Sequence, residues 1–497
     1  RYIGWFTYSE SLEVTLRDQI VIENHFKFYN FSETLSYIKS LGPELLIFLD
    51  NVDKSIVEDP DLIKIQQLNC SVVITSRSPN VIDEQAIDVP HLELSDSREL
   101  FYSFYSVERN DPVLDSILEN INLNTLLIEL IAKYAQSKPK KVQSLASYFS
   151  HSAEGVANLD DSKKVLHDSS YQAVRKHISD LLELEGFNKR ISSTLKRFSL
   201  LPYRSVPVKK LLEWNISSDI ETLEYLHYKG WLEHTVNGAR MHSIISEAIL
   251  GNSENYYSIF AKMFAPMSNS IELKPNESFI DVVSDSIIIW SVVKRCSFNS
   301  LDYSHLLNNL AIVLKRADFQ TDGEKLMEQS YEIKKRKGAD RESLATALNN
   351  LSLFKKDPQE KISYAKQAVV LGSKIAEEGS LEEIEQFCTS LNNLGVAYNY
   401  AKEYDLAEKI FLLCIKEQTY HFGSSYIGVG QCYNNLAHTC KGKGELLRAT
   451  LKSFIATNYY NAPDHAIYLY VHARCSQELG LFDRALRFHK LAYAKFS

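Results

Sequence analysis

Leu391-Asn392-Asn393-Leu394-Gly395-Val396-Ala397-Tyr398, followed by Tyr404, Ala407 and Phe411, reads as a helix, a turn and a second helix. Small residues at Gly395 and Ala407 let the two helices of such a hairpin approach closely. Leu394, Tyr398 and Tyr404 are large enough to fill the groove between one hairpin and the next. The anchor recurs as Leu307-Asn308-Asn309-Leu310, Leu348-Asn349-Asn350-Leu351 and Tyr433-Asn434-Asn435-Leu436, at spacings of 41, 43 and 42 residues. A fixed period of this size marks stacked two-helix units, a solenoid. Leu436-Ala437, Leu446 and Ala449 carry the small/large pattern into the next unit, and Ala473, Phe482 and Ala485 carry it once more. Residues 301–497 are therefore expected to offer a groove for a protein or peptide ligand, with no active site. Each Leu-Asn-Asn-Leu is first of all a helix face packed on its neighbour, its amides satisfying adjacent helices. In a second reading Asn308, Asn349, Asn392 and Asn434 line the ligand groove and bond to peptide backbone.

Residues 2–90 have a different rhythm. Tyr2–Thr7 reads as a strand, Leu12–Ile20 and Phe31–Leu41 as helices, and Leu45–Leu49 and Val72–Ile74 as continuous apolar strands. Uninterrupted apolar strands alternating with helices indicate a buried parallel sheet. Ligands of such sheets bind at the carboxyl ends of the strands. Asp50 ends one strand and Thr75-Ser76-Arg77 ends the next. A carboxylate at a strand tip is the group that holds Mg²⁺ beside nucleotide phosphates. Asp50, with Asp53 beyond it, is the catalytic and metal-binding candidate, and Arg77 could reach a γ-phosphate.

Between these regions, Asn124–Lys133 reads as a helix capped by Asn124, with Leu126, Ile128 and Ile131 inward. Tyr171–Leu184, Ile191–Phe198 and Ile220–Tyr228 have helical periodicity, with Gly186 and Gly230 past helix ends. Trp231–Val236 and Ala239–His242 flank Asn237-Gly238, a two-residue hairpin signal. Three helices and a hairpin suggest a winged helix.

Composition bounds the function. The chain is 45% hydrophobic and 24% charged, with a formal net charge of −8. Residues 301–497 hold 25 Lys+Arg and 23 Asp+Glu, so the repeats are nearly neutral. No basic domain stands out, and neither nucleic acid nor an anionic membrane is an expected partner. No apolar run is long enough to cross a membrane. Seven cysteines without a C-x-x-C pair fit reduced thiols and a cytoplasmic setting. The chain opens directly on an apolar run after Arg1 and is still helical in pattern near Ser497, as a fragment of a longer protein would be.

Two resemblances follow from these residues. The repeat period and its small/large pattern resemble the long tetratricopeptide repeat of kinesin light chains, over about 300–497. The strand and motif order of the first part resembles STAND ATPases of the NB-ARC type, which include plant resistance proteins and the apoptotic protease-activating factor. In that resemblance Asp50 falls on the Walker B aspartate and Arg77 on the sensor arginine. Tyr2–Phe6 falls on the strand after the first helix, and Leu92 to Phe101 on the start of the helical subdomain. Thr125 stands where plant members carry a nucleotide-facing proline. Met241-His242-Ser243 resembles the family's M-H-D motif, which implies that His242 reaches the ADP phosphate. Ser243 departs from that motif, and no G-x-x-x-x-G-K-[ST] occurs in the sequence.

The expected architecture is mainly α. It comprises a partial P-loop-type α/β domain (1–92), a helical lid (93–165), a winged helix (166–252), a helical linker (253–300) and the tetratricopeptide solenoid (301–497). The function the resemblance implies is an ATP/ADP and Mg²⁺-dependent signalling switch. Its repeats would sense a protein or peptide ligand and control opening and self-oligomerisation, with slow ATPase activity only in an intact protein that carries a P-loop. The rival readings are a repeat scaffold with an inactive ATPase part and an ATPase-type transcription regulator.

Overall fold

The computed structural model describes residues 2–8, 11–19, 31–52, 54–76, 87, 89–90, 92–106, 114–137, 165–235, 238–251, 257–274, 278–376 and 379–496. They fall into two compact units, Arg1–Phe298 and Asn299–Ser497.

In the first unit, β1 (Tyr2–Thr7), β2 (Leu45–Asp50) and β3 (Ser71–Ile74) form a parallel sheet in that order. Strand residues alternate between faces. One face carries Phe6, Leu45, Ile47 and Leu49 onto Leu12 and Leu16 of α1 (Leu12–Gln19) and Phe31 and Ile38 of α2 (Phe31–Leu41). Each such buried side chain contributes about 1.5–3 kcal/mol. The other face carries Ile3, Trp5, Phe48 and Val73; Trp5 is 59% exposed and stacks on Phe48. Buried Asp59 ties the layers together: its carboxylate accepts from the Tyr8 hydroxyl at 2.7 Å and the Leu12 amide at 2.6 Å.

Three helices follow: α3 (Leu94–Phe104), α4 (Leu114–Asn120) and α5 (Thr125–Ser137). The Asn124 side chain accepts from the Leu127 amide at 3.2 Å, as a capping residue does. Leu127, Ile128, Leu130 and Ile131 are buried, whereas Leu126, expected in the core, is half-buried. Next come α6 (Val165–Glu185), α7 (Lys189–Phe198), α8 (Val208–Glu213) and α9 (Ile220–Tyr228), then a hairpin of β4 (Glu233–Thr235) and β5 (Gly238–Arg240). Gly186 and Gly230 take the left-handed conformation just past α6 and α9. The sequence places Gly238 in the turn, but the register pairs it with Thr235 inside the strand.

The stretch expected as a linker belongs to this unit. After α10 (Ser243–Gly251), which closes the stretch expected as a winged helix, it forms α11 (Tyr257–Ser270) and α12 (Phe279–Arg295). The Trp214 indole donates to Ser270 Oγ at 3.0 Å, and Lys210 pairs with Asp285 at 2.6 Å.

The second unit is a stack of two-helix hairpins. They are α13 (Leu301–Arg316) with α14 (Gln320–Arg336), α15 (Arg341–Phe354) with α16 (Pro358–Ala376), and α17 (Leu381–Tyr400) with α18 (Tyr404–Phe422). Two more follow, α19 (Ile427–Gly442) with α20 (Leu446–Ala456) and α21 (His465–Glu478) with α22 (Phe482–Phe496). A Cβ on Gly395 would lie 2.5 Å from the Phe411 ring, so glycine sets the helix approach there. Gly442 leaves the same kind of room for Tyr404 of the preceding hairpin. The loops inside four hairpins share one cap, which the loop after α14 repeats at Ala339: Phe319, Glu403, Glu445 and Leu481 each donate their amide to the carbonyl five residues earlier. A left-handed residue precedes each donor: Asp318, Lys402, Gly444 or Gly480.

Two predictions follow from buried polar groups. Lys229, after α9, bonds both carboxylate oxygens of Glu185 on α6 and the Ser137 hydroxyl on α5, and its side chain is 5% exposed. Lys229→Met strands the Glu185 charge and is expected to lower unfolding stability by about 3–5 kcal/mol in denaturant melts. In the repeats, His472 is buried; Arg484 Nε donates to its Nε2 at 3.1 Å, and its Nδ1 lies 3.0 Å from Ser453 Oγ. Burial, and then the Arg484 charge, push its pKa down to about 4. The fold thus holds neutral His472, while the unfolded chain takes up a proton near pH 6.5. Its contribution is complete above that pH and falls as the pH drops from about 6.5 to 4, by up to about 1.4 kcal/mol per unit. Melts of the repeat unit across this range are expected to show that slope, flattened in His472→Gln.

Candidate functional site

The carboxyl end of the sheet is pinned by a polar cluster. β2 ends at Asp50, and Asn51 follows with φ +61°. This left-handed turn aims the Asn51 amide at Thr75 Oγ1, 2.8 Å away, and the same hydroxyl donates to Asp50 Oδ1 at 2.7 Å. The Val52 amide bonds the Thr75 carbonyl, and the Ser76 hydroxyl bonds the Val52 carbonyl. One carboxylate is thereby fixed at the sheet edge with a hydroxyl against it. Such oxygens suit a hard divalent cation. Asp53 and Arg77 lie outside the described residues.

The hairpin brings a second set. Val206 and Ala239 exchange both backbone hydrogen bonds, at 2.9 and 3.1 Å, so the loop before α8 lies along β5. A Cβ on residue 238 would sit 2.0 Å from the Val206 carbonyl oxygen, which is why glycine occupies this strand position. The loop delivers Tyr203. The Arg240 guanidinium lies over its ring, 4.8 Å from the centroid, and the His242 ring lies 5.5 Å from it, centroid to centroid. Arg240 Nε donates to Glu233 Oε2 at 2.6 Å, and His242 Nδ1 accepts from the Ile244 amide at 3.3 Å. In neutral His242 the proton therefore sits on Nε2.

The two sets meet. Burial, then Glu233, raise the pKa of the Tyr203 hydroxyl, and the Asp50 charge adds to this. For Arg240, burial opposes the charge, but the Glu233 hydrogen bond, with the charges of Glu233 and Asp50, outweighs it. His242, singled out by sequence, packs on Tyr203 beside Arg240, neither of which was, and the Asp50 charge acts on both of these. Arg240 had a usable signal, since alternation at the end of β5 puts it on the same side as His242 two residues on. Tyr203 had none, because only the long-range Val206–Ala239 pairing brings it there. Thr125 is exposed in the first turn of α5.

On the repeats, the first helices of successive hairpins touch: α15 with α17, α17 with α19, and α19 with α21. The second helices do not pack on one another to that extent, so the first helices line the inner side. The asparagine pairs lie there. Asn350 Nδ2 donates to Asn308 Oδ1 at 2.9 Å, and Asn435 Nδ2 to Asn392 Oδ1 at 2.8 Å. Asn349 Nδ2 instead donates to Ser390 Oγ at 2.8 Å. Asn349, Asn392 and Asn434 are buried and Asn308 is half-buried; Asn309, Asn350, Asn393 and Asn435 are also half-buried.

Comparison with known proteins adds the following. Residues 387–416 match the tetratricopeptide repeat family model. No curated protein matches the chain in sequence. A Signal Transduction ATPase with Numerous Domains with a tetratricopeptide repeat sensor, from Pyrococcus horikoshii, is similar at 13% identity and TM-score 0.32, over 94% of this chain and 76% of that one. Aspartyl phosphate phosphatase F of Bacillus subtilis is similar at 12% identity and TM-score 0.36, over 82% of this chain and 96% of that one. BtubC of P. vanneervenii is similar at 15% identity and TM-score 0.34, over 47% and 89%. At these scores the likenesses carry no argument about this chain.

Gly238→Ala is expected to push the Val206 loop off β5 and to lower stability by about 1–3 kcal/mol. A thermal melt checks the loss, and a changed His242 ring resonance checks the displacement of Tyr203.

Proposed function

We propose that this chain is a nucleotide-responsive switch whose tetratricopeptide repeats bind a protein or peptide. The carrying observation is the packing of Arg240 and His242 on Tyr203, together with Asp50 held by Thr75 at the sheet edge, near enough for its charge to act on Tyr203 and Arg240. A carboxylate with a hydroxyl on one side and a guanidinium with an imidazole on the other fit a metal-bound phosphate. Bound Mg²⁺ would supply charge neutralisation between Asp50 and the phosphate. Arg240 and His242 Nε2 would donate to phosphate oxygens, and Tyr203 would hold the guanidinium and the imidazole in place. ADP bound between strand end and hairpin would hold the two together. A ligand on the repeats that favours their separation would release it, by population shift.

The repeat reading rests on the tetratricopeptide match at 387–416 and on the first helices facing inward. The amide of Asn393 is a candidate for peptide backbone. Asn308 and Asn392 already accept bonds from the next hairpin, and Asn349 donates to Ser390. Self-oligomerisation on opening belongs to the same proposal. The sequence holds no G-x-x-x-x-G-K-[ST], so no ATPase activity is proposed for these residues alone.

The test is nucleotide content. The full-length protein, purified from cells without added nucleotide, is expected to carry ADP. Asp50→Ala and His242→Ala are each expected to cut that content about tenfold or more, the scale of a lost charge-assisted bond. ADP content equal to wild type in both variants would remove this site from the mechanism.

A further inference from the structure

We propose that Arg240 is an exchangeable anion clamp, held by Glu233 in the resting hairpin and taken over by a phosphate when one binds. Glu233 and Arg240 stand directly opposite each other on β4 and β5, and the bond between them uses only Nε. A guanidinium has five N–H donors in one plane. Among the described residues, its terminal nitrogens have no acceptor. Tyr203 fixes the plane of the group from one side, 4.8 Å below it. The side chain is 28% exposed, so the free donors are reachable yet partly shielded from water. A planar fork with unused paired donors is the geometry that takes phosphate bidentately.

Two carboxylates make this a controlled clamp. Glu233 competes with the phosphate for the same cation. Asp50 repels the phosphate until a divalent cation neutralises it. Anion binding here should therefore depend on the cation, and it should weaken the pair that joins β4 to β5. The hairpin would thus respond to occupancy. The inference rests on the nucleotide reading of the same site and adds the residue that reads the charge.

The experiment is calorimetric titration of the full-length protein with ADP and, separately, inorganic pyrophosphate, each with and without Mg²⁺. Wild type, Glu233→Gln, Arg240→Gln, Arg240→Lys and Asp50→Asn are compared, after circular dichroism shows native helicity. Glu233→Gln removes the competitor and should bind about threefold tighter or more. Arg240→Gln should bind about tenfold weaker, and Arg240→Lys, which keeps the charge but loses the fork, should fall between. Asp50→Asn should reduce the difference between titrations with and without Mg²⁺. Weaker or unchanged binding in Glu233→Gln, or unchanged binding in Arg240→Gln, overturns the clamp. If Asp50→Asn still alters the Mg²⁺ dependence in that case, the nucleotide reading stands and only the clamp fails. No binding of either anion by wild type removes both.

Discussion

Everything gathered around Tyr203 depends on one missing methyl group. A side chain at position 238 would collide with the Val206 carbonyl, and the loop from Leu201 to Pro207 could not pair with β5. Without that pairing Tyr203 has no fixed place. Arg240 then loses the ring beneath it and His242 the ring beside it. The site is therefore a consequence of backbone approach first and of charge second. The charges are strong only because the approach shields them partly from water.

The repeats obey the same rule in a regular form. Gly395 and Gly442 each stand where an aromatic ring, Phe411 or Tyr404, crosses the helix axis closely. The hairpins can then stack with little void, and the first helices come near enough for side-chain amides to bond across the gap. An amide left unbonded in that gap would cost about 1–3 kcal/mol. This explains an asparagine bonded across the gap in each unit, Asn308 to Asn350 and Asn392 to Asn435. The rungs are not identical, since Asn349 reaches Ser390 where its counterparts accept from asparagine.

The repeat unit was legible because its signals are local and periodic. Period, small residues and anchor motif all recur within one hairpin. The strands were legible for a similar reason, as Leu45–Asp50 is apolar until its last residue. The candidate site was half legible. Asp50 and His242 sit at ends of elements, where single residues stand out. Tyr203 sits in a loop whose position is set by a partner more than thirty residues away. Gly238 misled for a physical reason: glycine after asparagine signals a tight turn by backbone freedom, whereas here it serves by lacking a side chain. On α5, Ile128 and Ile131 are buried as expected, while Leu127 takes the inward place expected of Leu126, since both are apolar and periodicity alone cannot choose between them.

Where could such a molecule open? A ligand can shift a conformational balance only by its difference in affinity for the two states. Gly230, which takes φ +82° just before the hairpin, packs against Lys133 and Leu130 of α5. One residue earlier, Lys229 is locked to Glu185 and Ser137 out of water. Pulling the hairpin from α5 would expose or orphan that pair, at a cost of about 3–5 kcal/mol. By contrast, the link from the hairpin to the sheet edge runs through Asp50 as charge across partly exposed groups, and such contacts are individually weak. Glu185, Ser137 and Lys229 therefore tie the hairpin to α5 and α6, whereas a bound phosphate and its cation would add their attraction between the hairpin and the strand end.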